Sequence, residues 1–435
     1  MIKASQYVAA RYMVDFECIG DRCEDNCCGN WRIHVDEKHY KRLKSAMSAR
    51  SPAERARFAA AFEVTPAAQR RRATFARLKL LPDGRCPMLD DRGWCTIHRD
   101  YGEPQLPDTC SAYPRSIALV GERAQLLGAV SCPEIARRLL LDEDALDLEE
   151  VAPSRFGRGV VKQTILLGEP DPYVSYSDSV KAAAIDLLRR GEYPIESRLF
   201  FTAFLGHRTA PIFHRGGEGF DEALLQGEID SLHDQALVDE LHRGLATTGP
   251  RPELTLEIVL GLLAARLGDS RNAFFRVVAA VMTDYAQGGV GPAVPREEQG
   301  VIPSPSLIAA WQARQAAWPR HLAWRYELYL RNYVHYLWLD DWYFAHHDLF
   351  VYVLQLLVRV AVLRFLLISH PAARAAFALD GEAAQVEALD KVAVEVFYTF
   401  SRAVEHTQAF IDSVVTALDR QGLVALPTAA ALIKF

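Results

Sequence analysis

Cys18, Cys23, Cys27, Cys28, Cys86, Cys95, Cys110 and Cys132 are the residues of this chain with the clearest chemical potential, and they are all of its cysteines. Every one lies in the first 132 of 435 residues, and none follows Cys132. A buried free cysteine behaves as a small hydrophobe that fits anywhere in a core, so packing alone predicts scatter. Gathering is what soft thiolate ligands do around a metal. Ligand type favours an iron-sulfur cluster, with a structural zinc site as the alternative, and neither reading fixes which four thiols bind. Disulfides are the competing use. They are disfavoured because MIKASQYVAARYMVDF lacks an apolar h-region and a cleavage site, so a cytoplasmic location, where thiols stay reduced, is expected.

Other residues carry weaker signals. Cys23-x3-Cys27 matches the first half of the C-x3-C-x2-C arrangement of radical S-adenosylmethionine enzymes, but the third position is Asn30 and Cys28 sits beside Cys27, so that motif is not satisfied. His34 and His39 lie in the same region, and His98 follows Cys95 by three residues, near enough to ligate or to orient a ligand, although a surface position is the ordinary one. His346, His347 and Asp348 read as a solvated helix start rather than a catalytic group. Tyr326, Tyr329, Tyr333 and Tyr336 share one helical face. Such a stripe is ordinarily core, and its alternative is a pocket that orients an amine or a cation. No Walker loop or dinucleotide fingerprint is present, and Gly288 to Pro292 reads as a plain loop.

The elements that must position the cysteines are read from spacing. Residues 1 to 17 form an extended lead-in of β-prone side chains, and Cys18 to Cys28 lie in a loop rich in Gly, Asp and Asn. A helical pattern from Asp36 to about Phe62 has Asp36 as N-cap and a break at Ser51-Pro52. Between Asp36 and Lys79, twelve Lys or Arg stand against four Asp or Glu, ordinarily a solvated face and otherwise a patch for an acidic partner. Asp90 to Gly93 turns a hairpin between Cys86 and Cys95; Arg115 to Val120 and Arg123 to Val130 form a second. Ser131 and Glu134 form a capping box, which puts Cys132 at a helix N-terminus where the dipole lowers a thiol pKa.

Beyond residue 150 the texture is long apolar helices: Val180 to Arg190, Ile195 to Leu205, Asp221 to Leu245, Leu254 to Leu267, Asn272 to Gln287, and a block from Ser306 onward. Leu349 to Ile368 is apolar enough for a membrane span, but Arg359 and Arg364 inside it favour a buried bundle helix. The expected fold is mainly α, with a small N-terminal α+β cysteine-rich metal-binding domain at 1–145 and a larger α-helical domain at 146–435, subdivided near 288–305. A net charge of -6 over 435 residues gives no bulk attraction to nucleic acid or to an anionic membrane.

Phe16-x-Cys18-x4-Cys23-x3-Cys27-Cys28-x2-Trp31, Cys86-Pro87-x-Leu89, Cys95, Cys110-x2-Tyr113-Pro114-Arg115 and Cys132-Pro133-Glu134 together resemble the flagellin lysine-N-methylase (FliB) family. The first part is similar to zinc- or iron-chelating CxxCxxCC-type domains, and Glu327 to Leu339 is similar to the family's Asn-Tyr helix. The resemblance implies a cytoplasmic protein-lysine N-methyltransferase acting on flagellin, with S-adenosylmethionine as donor and a [4Fe-4S] cluster in the cysteine region. A non-catalytic iron- or zinc-binding protein with a helical partner-binding domain is the alternative.

Methyl transfer to lysine needs a neutral amine, and burial among aromatic groups disfavours the ammonium. On the stripe and the Asn-Tyr resemblance, Tyr326, Tyr329 and Tyr333 are expected to serve that role. A single metal centre is expected to draw on both cysteine groups. Adjacent Cys27 and Cys28 point apart in an extended backbone, so one of them is expected to face away from it.

Overall fold

The computed structural model describes residues 3–29, 33–158, 161–166, 168, 171–214, 219–266, 273–291, 294–296, 300–346, 348–405, 414 and 416–435. Two compact units emerge: Met1–Ala136 with Asp147–Ile165, and Arg137–Leu146 with Leu166–Phe435. The fold is mainly α, with the sheets that surround the cysteines in the smaller unit and a larger helical unit after it.

The smaller unit contains strands β1 (Gln6–Ala10), β2 (His34–Val35), β3 (Phe62–Val64), β4 (Ala76–Leu78), β5 (Arg115–Val120), β6 (Arg123–Gly128), β7 (Leu148–Glu150) and β8 (Val161–Ile165). Five of them form a mixed sheet in the order β7-β1-β6-β5-β8. The β5–β6 hairpin forms where Gly121-Glu122 breaks the pattern, with Gly121 at φ 56°, a conformation that glycine adopts without steric cost. β1 pairs with β6 in parallel and with β7 antiparallel, and β8 lies parallel to β5. The lead-in is therefore a strand followed by a short helix, Arg11–Val14, rather than extended throughout. Tyr12 explains the change, because its hydroxyl donates to Gly128 O at 3.0 Å and accepts from Gly128 N at 2.8 Å.

A second layer in this unit joins β2-β4-β3 to the helices Glu37–Arg50 and Pro52–Ala61. Asp36 caps the first helix through Lys38 N and His39 N, and Ser51 ends it and caps the second through Glu54 N. Ile33, Val35, Leu43, Met47, Phe58, Phe62 and Leu78 form its core, and Cys28, Cys95 and Cys110 pack against that core.

The helical unit is organised by Ile195–His214, Ala323–Asp340, Leu349–Ser369 and Glu382–Val404. Among the described residues, Leu349–Ser369 is the helix long and apolar enough to cross a membrane, and 94% of its most apolar stretch is buried inside the protein. It packs against Ile195–His214, where a Cβ on Gly206 would meet Val353 Cγ2 at 3.0 Å, so glycine permits the approach. Its arginines are engaged internally. Arg364 Nη1 donates to Ile433 O at 2.8 Å, and Arg359 faces Asp341 at 3.9 Å.

Two expectations change here. The predicted helix over Asp221 to Leu245 is two helices, Glu222–Ser231 and Gln235–Thr247, because Asp234 caps the second through Ala236 N. The predicted loop after Gly288 contains β9 (Val294–Arg296) paired with β10 (Gly300–Ile302). Pro292, Asn272, Asn30, Trp31 and His347 lie outside the described residues.

Candidate metal centre

A cavity of about 390 Å³ in the smaller unit is lined by all eight cysteines. Cys18 and Cys27 reach the surface, Cys86 is buried and the other five are half-buried; all eight are free thiols. Backbone pairing brings the two sequence groups together. Cys86 N donates to Cys28 O at 2.9 Å, and Gly29 and Arg85 form a bridge beside it. The Asp90 turn is closed by a single Leu89–Cys95 bridge rather than a hairpin ladder. Asp90 accounts for this by accepting from Arg92 N and Trp94 N, which consumes the donors that a ladder would use.

Cys110 belongs to the short helix Asp108–Ala112. Arg158 fixes that helix and the preceding loop: it donates to Glu103 O at 2.7 Å, Leu106 O at 3.1 Å, Ser111 Oγ at 3.0 Å and His39 Nε2 at 2.7 Å. Cys132 stands at the start of the helix Pro133–Leu141, with Tyr113 Oη and Ser131 Oγ hydrogen-bonded at 3.2 Å beside it.

The predicted divergence of Cys27 and Cys28 is not found: their sulfurs are 3.9 Å apart and both line the cavity. An Asx turn bends the loop out of extended geometry, since Asn26 Oδ1 accepts from Cys28 N at 3.0 Å, and Asp25 Oδ1 accepts from Asn26 N at 2.8 Å just before it.

Electrostatics separates the thiols. Hydrogen bonds to Cys27 and Cys95, together with burial, push the Cys28 thiol up, whereas the bond from Cys28 holds Cys95 down at about 7. Burial raises Cys86 to about 11 and Cys110 well above the ordinary thiol range. Cys132 departs from its predicted acidity. Ile135 N–H and Glu134 N–H pull its pKa down as a helix start should, but burial is larger and leaves it at about 12.

Convergent, reduced thiols of this kind suit zinc or an iron-sulfur cluster. Several residues of the wall carry no advance signal. Trp94 lines the cavity with an indole N–H that has no partner among the described residues, and its ring lies over Gly20, where a Cβ would sit 3.1 Å from it. His98, by contrast, is expected near the thiols from its spacing to Cys95, and it lines the cavity. His34 is exposed on β2, and His39 donors and acceptors are used locally, with Nδ1 2.5 Å from Asp36 Oδ2. Asp36, His39 and Asp108 place metal-type atoms within 4.8 Å of one another, but the Arg158 guanidinium already bonds two of the three, 3.3 Å from Asp108 Oδ1 and 2.7 Å from His39 Nε2.

The tyrosines occupy the helical unit and are not part of the cysteine cavity. Tyr326, Tyr329, Tyr333 and Tyr336 are all buried on the helix Ala323–Asp340. Tyr329 donates to Asp390 at 2.5 Å and Tyr333 to Glu405 at 2.5 Å, while the Tyr326 hydroxyl has no hydrogen-bond partner among the described residues. Burial raises all three phenol pKa values, so they stand as neutral groups. Asn332, beside Tyr333, donates to Leu139 O at 2.8 Å and Asp142 O at 2.7 Å, capping the Pro133–Leu141 helix at its C-terminal end. Asp348 caps Leu349–Ser369 through Val351 N and pairs with His214 at 2.7 Å, which gives it a structural use.

Residues 17–133 match the family model of a zinc- or iron-chelating domain of CxxCxxCC type, and residues 181–432 match that of the FliB lysine N-methylase C-terminal domain. A lysine-N-methylase of Salmonella choleraesuis is 28% identical over 140 residues, 32% of this chain and 33% of that protein. A lysine-N-methylase of Salmonella typhimurium is 27% identical over 142 residues, again 32% and 33% of the two chains. The flagellar biosynthetic protein FliU of Salmonella muenchen is 28% identical over 142 residues, 32% of this chain and 79% of that protein. The matched stretch thus spans about a third of either lysine-N-methylase. No solved structure matches. With its second model covering more than half of the sequence, the chain belongs to the FliB lysine N-methylase family.

Proposed function

We propose that this chain is a cytoplasmic protein-lysine N-methyltransferase that modifies flagellin, with S-adenosylmethionine as methyl donor and a [4Fe-4S] cluster held by thiols of the cysteine cavity. The observation that carries the reading is the convergence of eight free thiols on one cavity in a chain whose larger part matches a lysine N-methylase domain. The flagellar name of one relative supports the substrate. When bound, the cluster supplies redox and Lewis-acid chemistry, and zinc would instead close the fold.

Of the proposed catalytic tyrosines, Tyr326 is best supported, because its buried hydroxyl is not committed to a carboxylate as those of Tyr329 and Tyr333 are. A lysine amine in such surroundings is held neutral by the cost of burying its charge.

Protein purified without oxygen, incubated with flagellin and methyl-labelled S-adenosylmethionine, is expected to transfer label to lysine and to absorb broadly near the violet. Iron and sulfide content in single Cys→Ser variants assigns the ligands, and losses are expected in both sequence groups. A colourless protein with stoichiometric zinc and no transfer would replace this proposal with a metal-binding module.

A further inference from the structure

The basic stretch from Asp36 to Lys79 is absorbed by none of this chemistry. Its twelve cationic and four anionic residues give a balance of +8 in a chain of net charge -6, which leaves -14 on the remainder. The structure brings much of that charge to one surface. The helix Glu37–Arg50 presents Lys38 and Lys41 at its start, and Glu37 N is bonded at 3.0 Å to Arg72 O in the turn carrying Arg70, Arg71 and Arg72. β4 continues the surface. Ala76 and Leu78 are buried and so turn the intervening Arg77, and Lys79 after them, outward.

Part of this charge is balanced: Lys41 pairs with Glu37 at 2.7 Å, Arg77 with Glu63 at 2.7 Å, and Arg70 donates to Thr65 O at 2.9 Å. Lys38, Arg71, Arg72 and Lys79 are exposed, and their side chains make no hydrogen bond or salt bridge among the described residues. Glu37 lies within the electrostatic reach of Arg72 and Arg70 but is already paired with Lys41, so the cluster keeps an excess of cations, which repel one another and do not serve the fold.

We propose that this face docks a carboxylate-rich segment of the protein substrate, apart from the lysine that is modified. The inference rests on the methyltransferase reading for the identity of the partner, but not for the binding chemistry. Arginine forks match carboxylates in bidentate geometry, which favours an acidic peptide. A nucleic acid fits less well. The nearby rings of Tyr40, Phe62 and Phe75 pack on one another instead of standing out for base stacking, and a long polyanion would run onto the negative remainder of the chain.

The test uses the full chain and a fluorescein-labelled peptide of alternating Glu and Ala, with a Gln/Ala peptide and oligouridine as comparisons. Anisotropy is expected to show binding of the acidic peptide that weakens with salt. The R71E/R72E variant, at exposed sites, is expected to lose about tenfold in affinity, with circular dichroism and metal content unchanged. Equal binding by the variant, tighter binding of oligouridine, or self-association that competes with the peptide would each overturn the proposal. On a protein substrate the same variant is expected to raise KM with kcat preserved. Peptide binding lost in the variant, with no methyl transfer by either protein, would uphold the docking face and remove the methyltransferase reading instead.

Discussion

Cys86 at about 11 and Cys132 at about 12 keep their protons at neutral pH, because burial penalises the thiolate more than nearby N–H groups favour it. A metal that binds them must displace those protons. The affinity of the metal-free protein for zinc is therefore expected to rise by roughly tenfold or more per pH unit between neutral and mildly alkaline pH, measured by chelator competition. A flat profile would remove the buried thiols from the ligand set. The stability of the metal-free fold runs the opposite way. Folded values lie above the unfolded thiol near ~8.5, so their contribution is present below that pH and is lost as pH rises through the folded values.

The tyrosines give a contrast within one helix. Tyr329→Phe and Tyr333→Phe each take a donor from a half-buried carboxylate and are expected to cost roughly 1–3 kcal/mol in thermal unfolding. Tyr326→Phe removes a hydroxyl with no partner among the described residues and is expected to be near neutral, so equal destabilisation by all three would contradict these hydrogen bonds. The sequence reveals the shared face of these side chains but not their carboxylate partners. Asp390 and Glu405 lie far along the chain and meet the stripe only through packing.

Elements explain which parts of the site are legible. The Asp36 cap, the break at Ser51-Pro52 and the β5–β6 hairpin are local, each fixed by residues within a few positions, and they match expectation. The Leu89–Cys95 turn and the loop at Cys27 are governed by side-chain acceptors that compete with ladder bonds, which a hydrophobic pattern does not encode. β6 offers a sharper test. A Cβ on Gly128 would lie 2.5 Å from Met13 Sδ and 2.8 Å from Ile135 Cδ1, atoms of the helices on either side of that strand's end. Gly128→Val is expected to cost about 1–3 kcal/mol and to lower metal occupancy by displacing the start of the Cys132 helix. Full metal loading in a destabilised variant would separate the packing from the site.

At the scale of the molecule, the chain divides into two compact units, and all eight cysteines belong to the smaller one, so the two are expected to depend differently on metal. Chelation is expected to lower the calorimetric transition of the smaller unit by roughly 2–4 °C for each kcal/mol lost, leaving that of the helical unit in place. One transition that moves as a whole would mean that the units unfold together. The burial of Leu349–Ser369 was foreshadowed by its two arginines, whereas the return of residues 147–165 to the smaller unit was not, because strand order in a sheet is a long-range property.

That return has a consequence for biosynthesis. β7 and β8 are the outer strands of the five-stranded sheet, and β1, made first, lies between β7 and β6. A nascent chain emerging from the ribosome cannot complete this unit until residue 165 has left the exit tunnel, on the order of ten seconds after β1 at ordinary synthesis rates. All eight thiols are translated before that moment. Delivery of iron or zinc to the finished cavity is thereby deferred until the sheet closes, and the newly made thiols need a reducing environment in the interval.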